Sequence, residues 1–210
     1  MLFWIILLII FIPTKLLFPT IVKGRKNLPK GKAIYAPNHQ TNVDICILAC
    51  AIFRRMFALG KAELFKNKFV GGFLKGIGCV KVYRGKADID AVKRVFHILK
   101  KKDKPIVIFP TGTRKSSPDE LKEIKNGVAM FSIKTQSPIV PMVLVKKPRL
   151  FRINKLVIGK PLDLTKYDGR PATKELYEEI SNDLEIAMHN LLIENTKPSK
   201  KQKQRKQNND

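Results

Sequence analysis

Acidic side chains are scarce in this 210-residue chain. Seventeen Asp and Glu stand against 41 Lys and Arg, for a formal net charge of +24. Such a surface seeks anionic partners: nucleic acid, an anionic membrane face, or a phosphorylated or acidic substrate. Part of the excess also serves solubility alone. Cysteine is rarer still, with only three, Cys46, Cys50 and Cys79. The number is odd and no CxxC occurs, which argues against a disulfide framework and fits a reducing compartment. Cys46 and Cys50 sit on an apolar helical stretch with no His on that face, so they read as core rather than as metal ligands. No GxxxxGK[ST] loop is present. Neither the interleaved aromatic–basic pattern of an RNA-binding sheet nor a DNA-reading module appears, so no nucleic acid partner is expected. Internal repeats are absent.

Long apolar runs are lacking too. The opening "MLFWIILLIIF" is interrupted by Pro13 after about a dozen residues, or roughly 18 Å of helix, against a hydrocarbon core of about 30 Å. It carries no basic leader and no small-residue cleavage site, so a signal peptide is not expected. Residues 1–22 read as a retained, membrane-associating segment that lies in or dips into the interface, on the cytoplasmic side of a membrane; read through Pro13 and Lys15 to Val22 the run is long enough for a single kinked span, and an internal core helix is the remaining alternative. At the other end, residues 196–210 hold no apolar side chain and many Lys, Arg, Gln and Asn, the composition of a basic disordered tail.

Between these ends lies one domain, residues 23–195, long enough to bury a core. Short apolar, β-branched runs predict strands at 33–37, 55–60, 79–83, 105–109, 138–145 and 155–159. Helical patterns fall between and after them, at 43–53, 88–102, 123–134 and 172–195, with Asp88 as an N-cap. The alternation predicts an α/β fold, a central mostly parallel or mixed sheet flanked by helices, preceded by the N-terminal apolar helical segment. Ligand sites in such sheets lie beyond the C-terminal strand ends.

Polar motifs fall at those ends. After the strand "AIYAP" come His39 and Asp44, with Thr41 or Asn42 placed to cap a helix starting near Val43. Within one regular helix, five residues would set the two side chains about 140° apart. With His39 in the preceding loop, the imidazole can fold back onto the carboxylate. Such a pair can act as a general base and its orienting partner, with no Ser or Cys nucleophile required if an acceptor hydroxyl attacks directly. The spacing equally suits a capping Asp beside a satisfied His. "VIFPTGTRK" places Thr111, Gly112, Thr113 and Arg114 in a loop after a strand. Backbone N–H groups, hydroxyls and a guanidinium there can bind phosphate, although an ordinary turn with surface charges would read alike. Arg84 ends the strand "CVKVY", and Pro141 interrupts "PIVPMVLV", which suggests a strand entry, edge or bulge. His97 and His189 have no companion ligands and read as structural or surface.

In this order the four motifs resemble those of the glycerolipid acyltransferases, typified by 1-acylglycerol-3-phosphate acyltransferases. The family's Asn-His-x4-Asp is matched by Asn38, His39 and Asp44, its strand-ending Arg by Arg84, Phe-Pro-Glu-Gly-Thr-Arg by Phe109 to Arg114, and its apolar strand with Pro by Val140-Pro141. The flanking text, "VKGRKNLP" and "GKAELFKNKFVGGFLKGIG", is similar as well. The resemblance implies transfer of an acyl chain from acyl-CoA or acyl carrier protein to the hydroxyl of lysophosphatidate, with His39 as base and Asp44 as its support. It implies that Arg84 and Arg114 hold the acceptor phosphate and that Gly112 and Thr113 shape the loop, with no metal and no cofactor beyond the thioester co-substrate. Anionic membrane lipid is the other expected partner. Thr111 stands where the family has Glu. This leaves open another lysophospholipid acceptor, or a weakly active homologue that binds anionic lipid. Thr111→Glu is expected to leave the fold intact and to change acceptor affinity.

Overall fold

The computed structural model describes residues 2–83, 88–114 and 124–196. Arg84 and the tail from 197 onward lie outside the described residues. A seven-stranded sheet forms the middle layer, in the order β1-β7-β6-β2-β5-β3-β4. Its strands are β1 (Thr20–Lys23), β2 (Ile34–Pro37), β3 (Phe57–Lys61), β4 (Cys79–Val82), β5 (Ile106–Val107), β6 (Ile139–Leu144) and β7 (Asn154–Ile158). All neighbours run parallel except β6 and β7, whose antiparallel pairing makes the sheet mixed.

Period-two alternation feeds two cores. On β2, Ile34 and Ala36 face one layer and Tyr35 the other. The first layer is closed by α4 (Ile89–Phe96), α5 (Gly127–Thr135) and α6 (Lys174–Asn195), through Val95, Phe131, Ile180 and Met188. The second is closed by α1 (Leu2–Leu17) and α2 (Asp44–Ile52), through Phe3, Leu7, Ile47 and Leu48. With both faces covered, the central strands are apolar on both sides, as parallel sheets require. The last helix, α3 (Lys68–Gly76), lies between β3 and β4.

The six expected strands form, though β5 shrinks to two residues. Asp88 caps α4 as expected, its carboxylate accepting from the Ala91 N–H at 2.9 Å. Two elements differ from the sequence reading. Helix α1 continues through Pro13 to Leu17, and the chain then enters β1 directly, so the limit drawn at residues 22/23 falls inside a strand. Pro141 lies within β6, an internal strand rather than an edge, paired with Ala36 of β2. The position is tolerated because pairing with β7 begins only at Met142, and the Pro141 carbonyl still accepts from the Gly159 N–H at 2.9 Å.

Helix α1 is apolar except for Thr14 and Lys15 in its last turn. Phe3 and Leu7 are buried against α2, whereas Trp4, Ile5, Leu8, Ile9, Ile12 and Leu16 are exposed. At 100° per residue these six share an arc of about 140°. Among the described residues no helix is long and apolar enough to cross a membrane.

Candidate active site

Strand β2 ends at Pro37, and residues 38–43 turn the chain into α2. Asn38 holds this turn to β6. Its amide donates to the Leu144 carbonyl at 3.0 Å, and its side-chain oxygen accepts from the Leu144 N–H at 2.8 Å. Gln40 donates to the same carbonyl at 3.0 Å. The turn is therefore fastened to a neighbouring strand by amide side chains that imitate a sheet ladder.

Asp44 is fully buried, at 0% exposure. Its Oδ2 accepts from His39 Nδ1 at 2.8 Å, from the Gln40 N–H at 2.6 Å and from the Thr41 N–H at 2.8 Å. Its Oδ1 accepts from the Thr41 hydroxyl. The expected cap by Thr41 or Asn42 does not form, and Val43 occupies that position without a side-chain bond. Thr41 bonds the carboxylate instead, while Asn42 Oδ1 accepts from the Arg114 guanidinium at 2.6 Å. Asp44 reaches back over the start of its own helix, as the acidic member of a capping box does. Four donors and complete burial leave the carboxylate one orientation, and with it the imidazole.

His39 is also held from its face. The Phe109 ring stacks on it with centroids 3.9 Å apart and planes 22° apart. With Nδ1 donating to Asp44, Nε2 is the nitrogen left to accept a proton. A charged imidazolium would gain from both partners, through the carboxylate at Nδ1 and the π face of Phe109.

His39 stands in the wall of a cavity of about 380 Å³ with Arg114, Asn42 and Lys61; the rest of its lining is largely apolar and includes Ile45, Leu64, Val70, Phe73 and Leu74. A second cavity of about 330 Å³ adjoins it across Phe109 and Leu59 and is lined by Gly112, Thr113, Tyr83 and Lys125. Lys61 is common to both. Gly112 adopts φ +68°, a left-handed conformation that bends the loop back, and a Cβ there would crowd the Lys125 side chain at 3.3 Å. Thr111 points inward, 6% exposed, with its hydroxyl donating to the Thr113 carbonyl at 2.8 Å. It braces the loop and does not line either cavity.

The structure thus brings together His39, Asp44, Gly112, Thr113 and Arg114, with Thr111 beneath the loop. Arg84 follows Tyr83 of the second cavity but is outside the described residues. Sequence reasoning missed Phe109 as a ring partner, and Lys61 and Lys125 as cavity cations. For Lys61 a cue was present, since it closes a strand at the same C-terminal edge as His39. Two of the three thiols, Cys46 and Cys79, also line the apolar cavity. Burial pushes Cys46 up to about 11 and Cys79 up to about 12, with a smaller upward push from Cys50 on Cys46 and from Cys46 on Cys79. Among the described residues no group of three or more His, Cys, Asp or Glu side chains could hold a metal ion.

Comparison with known proteins places these motifs. A 1-acyl-sn-glycerol-3-phosphate acyltransferase of Bacillus subtilis is 30% identical over 166 residues, which cover 74% of this chain and 79% of that protein. One from Cocos nucifera is 30% identical over 186 residues, 87% of this chain. The aligned stretch is only 59% of the Cocos protein's length. The crystal structure of the 1-acyl-sn-glycerophosphate (LPA) acyltransferase PlsC from Thermotoga maritima superimposes with a TM-score of 0.62 at 24% identity, over 86% of this chain and 74% of that one, and shares the fold. The Acyltransferase family model matches residues 20–145. That span runs from β1 through β6 and takes in every motif gathered at the cavities, so the chain belongs to the Acyltransferase family.

Proposed function

We propose that the protein is a membrane-associated O-acyltransferase that moves a fatty acyl chain from acyl-CoA or acyl carrier protein to the free hydroxyl of lysophosphatidate, making phosphatidate. The observation that carries this reading is the pair His39–Asp44, 2.8 Å apart, in the wall of a largely apolar cavity with Arg114 on the same rim. The relatives' names support the same reaction.

The chemistry needs a base, an anion site and an apolar slot. His39 Nε2 takes the proton of the acceptor hydroxyl as its oxygen attacks the thioester carbonyl carbon. Asp44 holds the Nδ1 proton and stabilises the imidazolium. When the C–S bond breaks, the thiolate leaves and the imidazolium returns the proton to it, giving a free thiol. Arg114, steadied by Asn42, keeps further N–H donors for the acceptor phosphate, and Arg84 joins it. Gly112 and Thr113 shape that loop, and Thr111 braces it. The apolar cavity takes the acyl chain. The reaction uses no metal and no cofactor besides the thioester. The exposed apolar arc of α1 lies in the interface of a cytoplasmic membrane face, where the net charge of +24 favours anionic lipid.

The test is formation of phosphatidate and thiol release from acyl-CoA and acyl carrier protein donors with lysophosphatidate, for wild type and His39→Ala. A loss of at least about 10²-fold is expected. Turnover with only another lysophospholipid would move the acceptor. No turnover from wild type with any pair, with vesicle binding intact in His39→Ala, would leave an anionic-lipid-binding homologue.

A further inference from the structure

The link between β6 and β7 is unusual for a surface turn. It reads Lys146-Lys147-Pro148-Arg149-Leu150-Phe151-Arg152-Ile153. Leu150, Phe151 and Ile153 are 55%, 75% and 73% exposed. All four cations are exposed as well, and the segment contains no acidic residue. Phe151 adopts φ +55°, a left-handed backbone that a bulky aromatic rarely takes. The conformation is fixed by its surroundings. The Phe151 N–H donates to the Leu17 carbonyl at 2.7 Å, and Asn154 closes the base of the turn through Pro19 at 2.7 Å and Arg152 at 2.9 Å.

Leu17 is the last residue of α1, next to the exposed Leu16. The apolar tip of the turn is thus pinned to the point where the outer arc of α1 ends. We propose that residues 146–153 form a second membrane contact, with Leu150, Phe151 and Ile153 entering the interface of an anionic bilayer and Lys146, Lys147, Arg149 and Arg152 around them binding its headgroups. An apolar tip in a collar of single-sign charge matches an anionic lipid surface, with an apolar layer below a negative one. Continuity with α1 gives the two apolar elements one target. This contact extends the interfacial reading of α1 and does not depend on the reaction.

The chain has one tryptophan, Trp4, on the outer arc of α1. Wild-type fluorescence therefore reports on α1, and Phe151→Trp in a Trp4→Phe background reports on the turn. Vesicles of phosphatidylcholine with about one-third phosphatidylglycerol are added to the full chain. The expected result at position 151 is a blue shift, with quenching by brominated acyl chains. Phe151→Ser/Ile153→Ser should lower vesicle partitioning at least about tenfold, and each cation changed to Gln should lower it about fivefold at low salt. Phe151→Gly should raise Tm while lowering partitioning, because it relieves the left-handed backbone. A shift at Trp4 with none at position 151 would overturn this contact and leave α1 standing; no shift at either would overturn both. A fall in Tm with Phe151→Gly, or loss of self-association with unchanged vesicle binding in the Ser variants, would likewise overturn it.

Discussion

Asn38 and Leu144, 106 residues apart, are joined by two hydrogen bonds of 3.0 and 2.8 Å, so the turn that carries His39 is fixed to a strand it precedes by most of the domain. Gln40 adds a third bond to the same carbonyl. The amide-rich text around His39 is thus a fastening, and His39 is positioned by β6 as much as by its own loop.

Asp44→Asn keeps the shape but removes the charge: the three donors now on Oδ2 would meet a neutral amide oxygen, and the Thr41 hydroxyl must turn from donor to acceptor for the new NH2. Hydrogen bonds to a charged group contribute about 1.5–3 kcal/mol against about 0.5–1.5 for neutral ones, so the change costs on the order of 1 kcal/mol or more. We expect kcat to fall at least about 10²-fold, since the imidazole loses its support, and denaturant unfolding to register the stability loss. Wild-type kcat in Asp44→Asn would remove Asp44 from the catalytic pair.

Arg114→Lys keeps the charge and loses the fork that reaches Asn42 while leaving N–H donors over for the phosphate proposed to bind there. Acceptor KM should rise about tenfold with a smaller change in kcat. Asn42→Ala should move KM the same way by less, because it removes only the brace. Steady-state kinetics across acceptor concentration separate the two parameters.

Thr111→Val removes one buried bond and should cost about 1 kcal/mol with activity largely kept. Thr111→Glu is a different matter. The sequence reading expected an intact fold and an altered KM, but the side chain at 111 is 6% exposed and faces its own loop. A carboxylate must either be buried or turn the loop outward. Thermal unfolding should therefore show a clear loss for Glu, alongside any kinetic change.

The thiols set an alkaline limit. Cys46 and Cys79 are held up at about 11 and about 12, against an ordinary 9.0. A group whose folded pKa is raised contributes its full stability below the unfolded value and loses it as pH rises toward the folded one. Stability should decline between pH about 9 and about 11–12, and Cys46→Ala/Cys79→Ala should flatten that decline. Alkylation of the folded protein at neutral pH should be slow.

Much of this was legible in the sequence because the signals are local. Central strands such as Ile139–Leu144 are short β-branched runs between turns. His39 and Asp44 sit on one strand–helix corner, so spacing alone suggested their contact. Two elements escaped. Thr20–Lys23 reads as the tail of the preceding apolar segment, and it is a strand only because β7 lies beside it. Helix α3 was hidden by Gly71 and Gly72, poor helix formers; Gly71 is needed there because a Cβ would lie 2.8 Å from the Phe65 carbonyl. At the site, Phe109, Leu144 and Lys125 come from 70 to more than 100 positions beyond the His39 turn. No local pattern encodes a stacking partner at that distance, whereas the family resemblance placed Arg114 through its motif.

The pairing of β1 with β7 joins Thr20 to Asn154, and among the described residues β7 is the only strand beside β1. At roughly 5–20 residues per second, a ribosome needs on the order of ten seconds to make the chain between them. For that interval the first strand has no ladder to join, while α1 ahead of it is already out with its apolar arc uncovered. An arc left open for that interval needs cover before β7 exists, and the bilayer contact proposed for α1 would supply it.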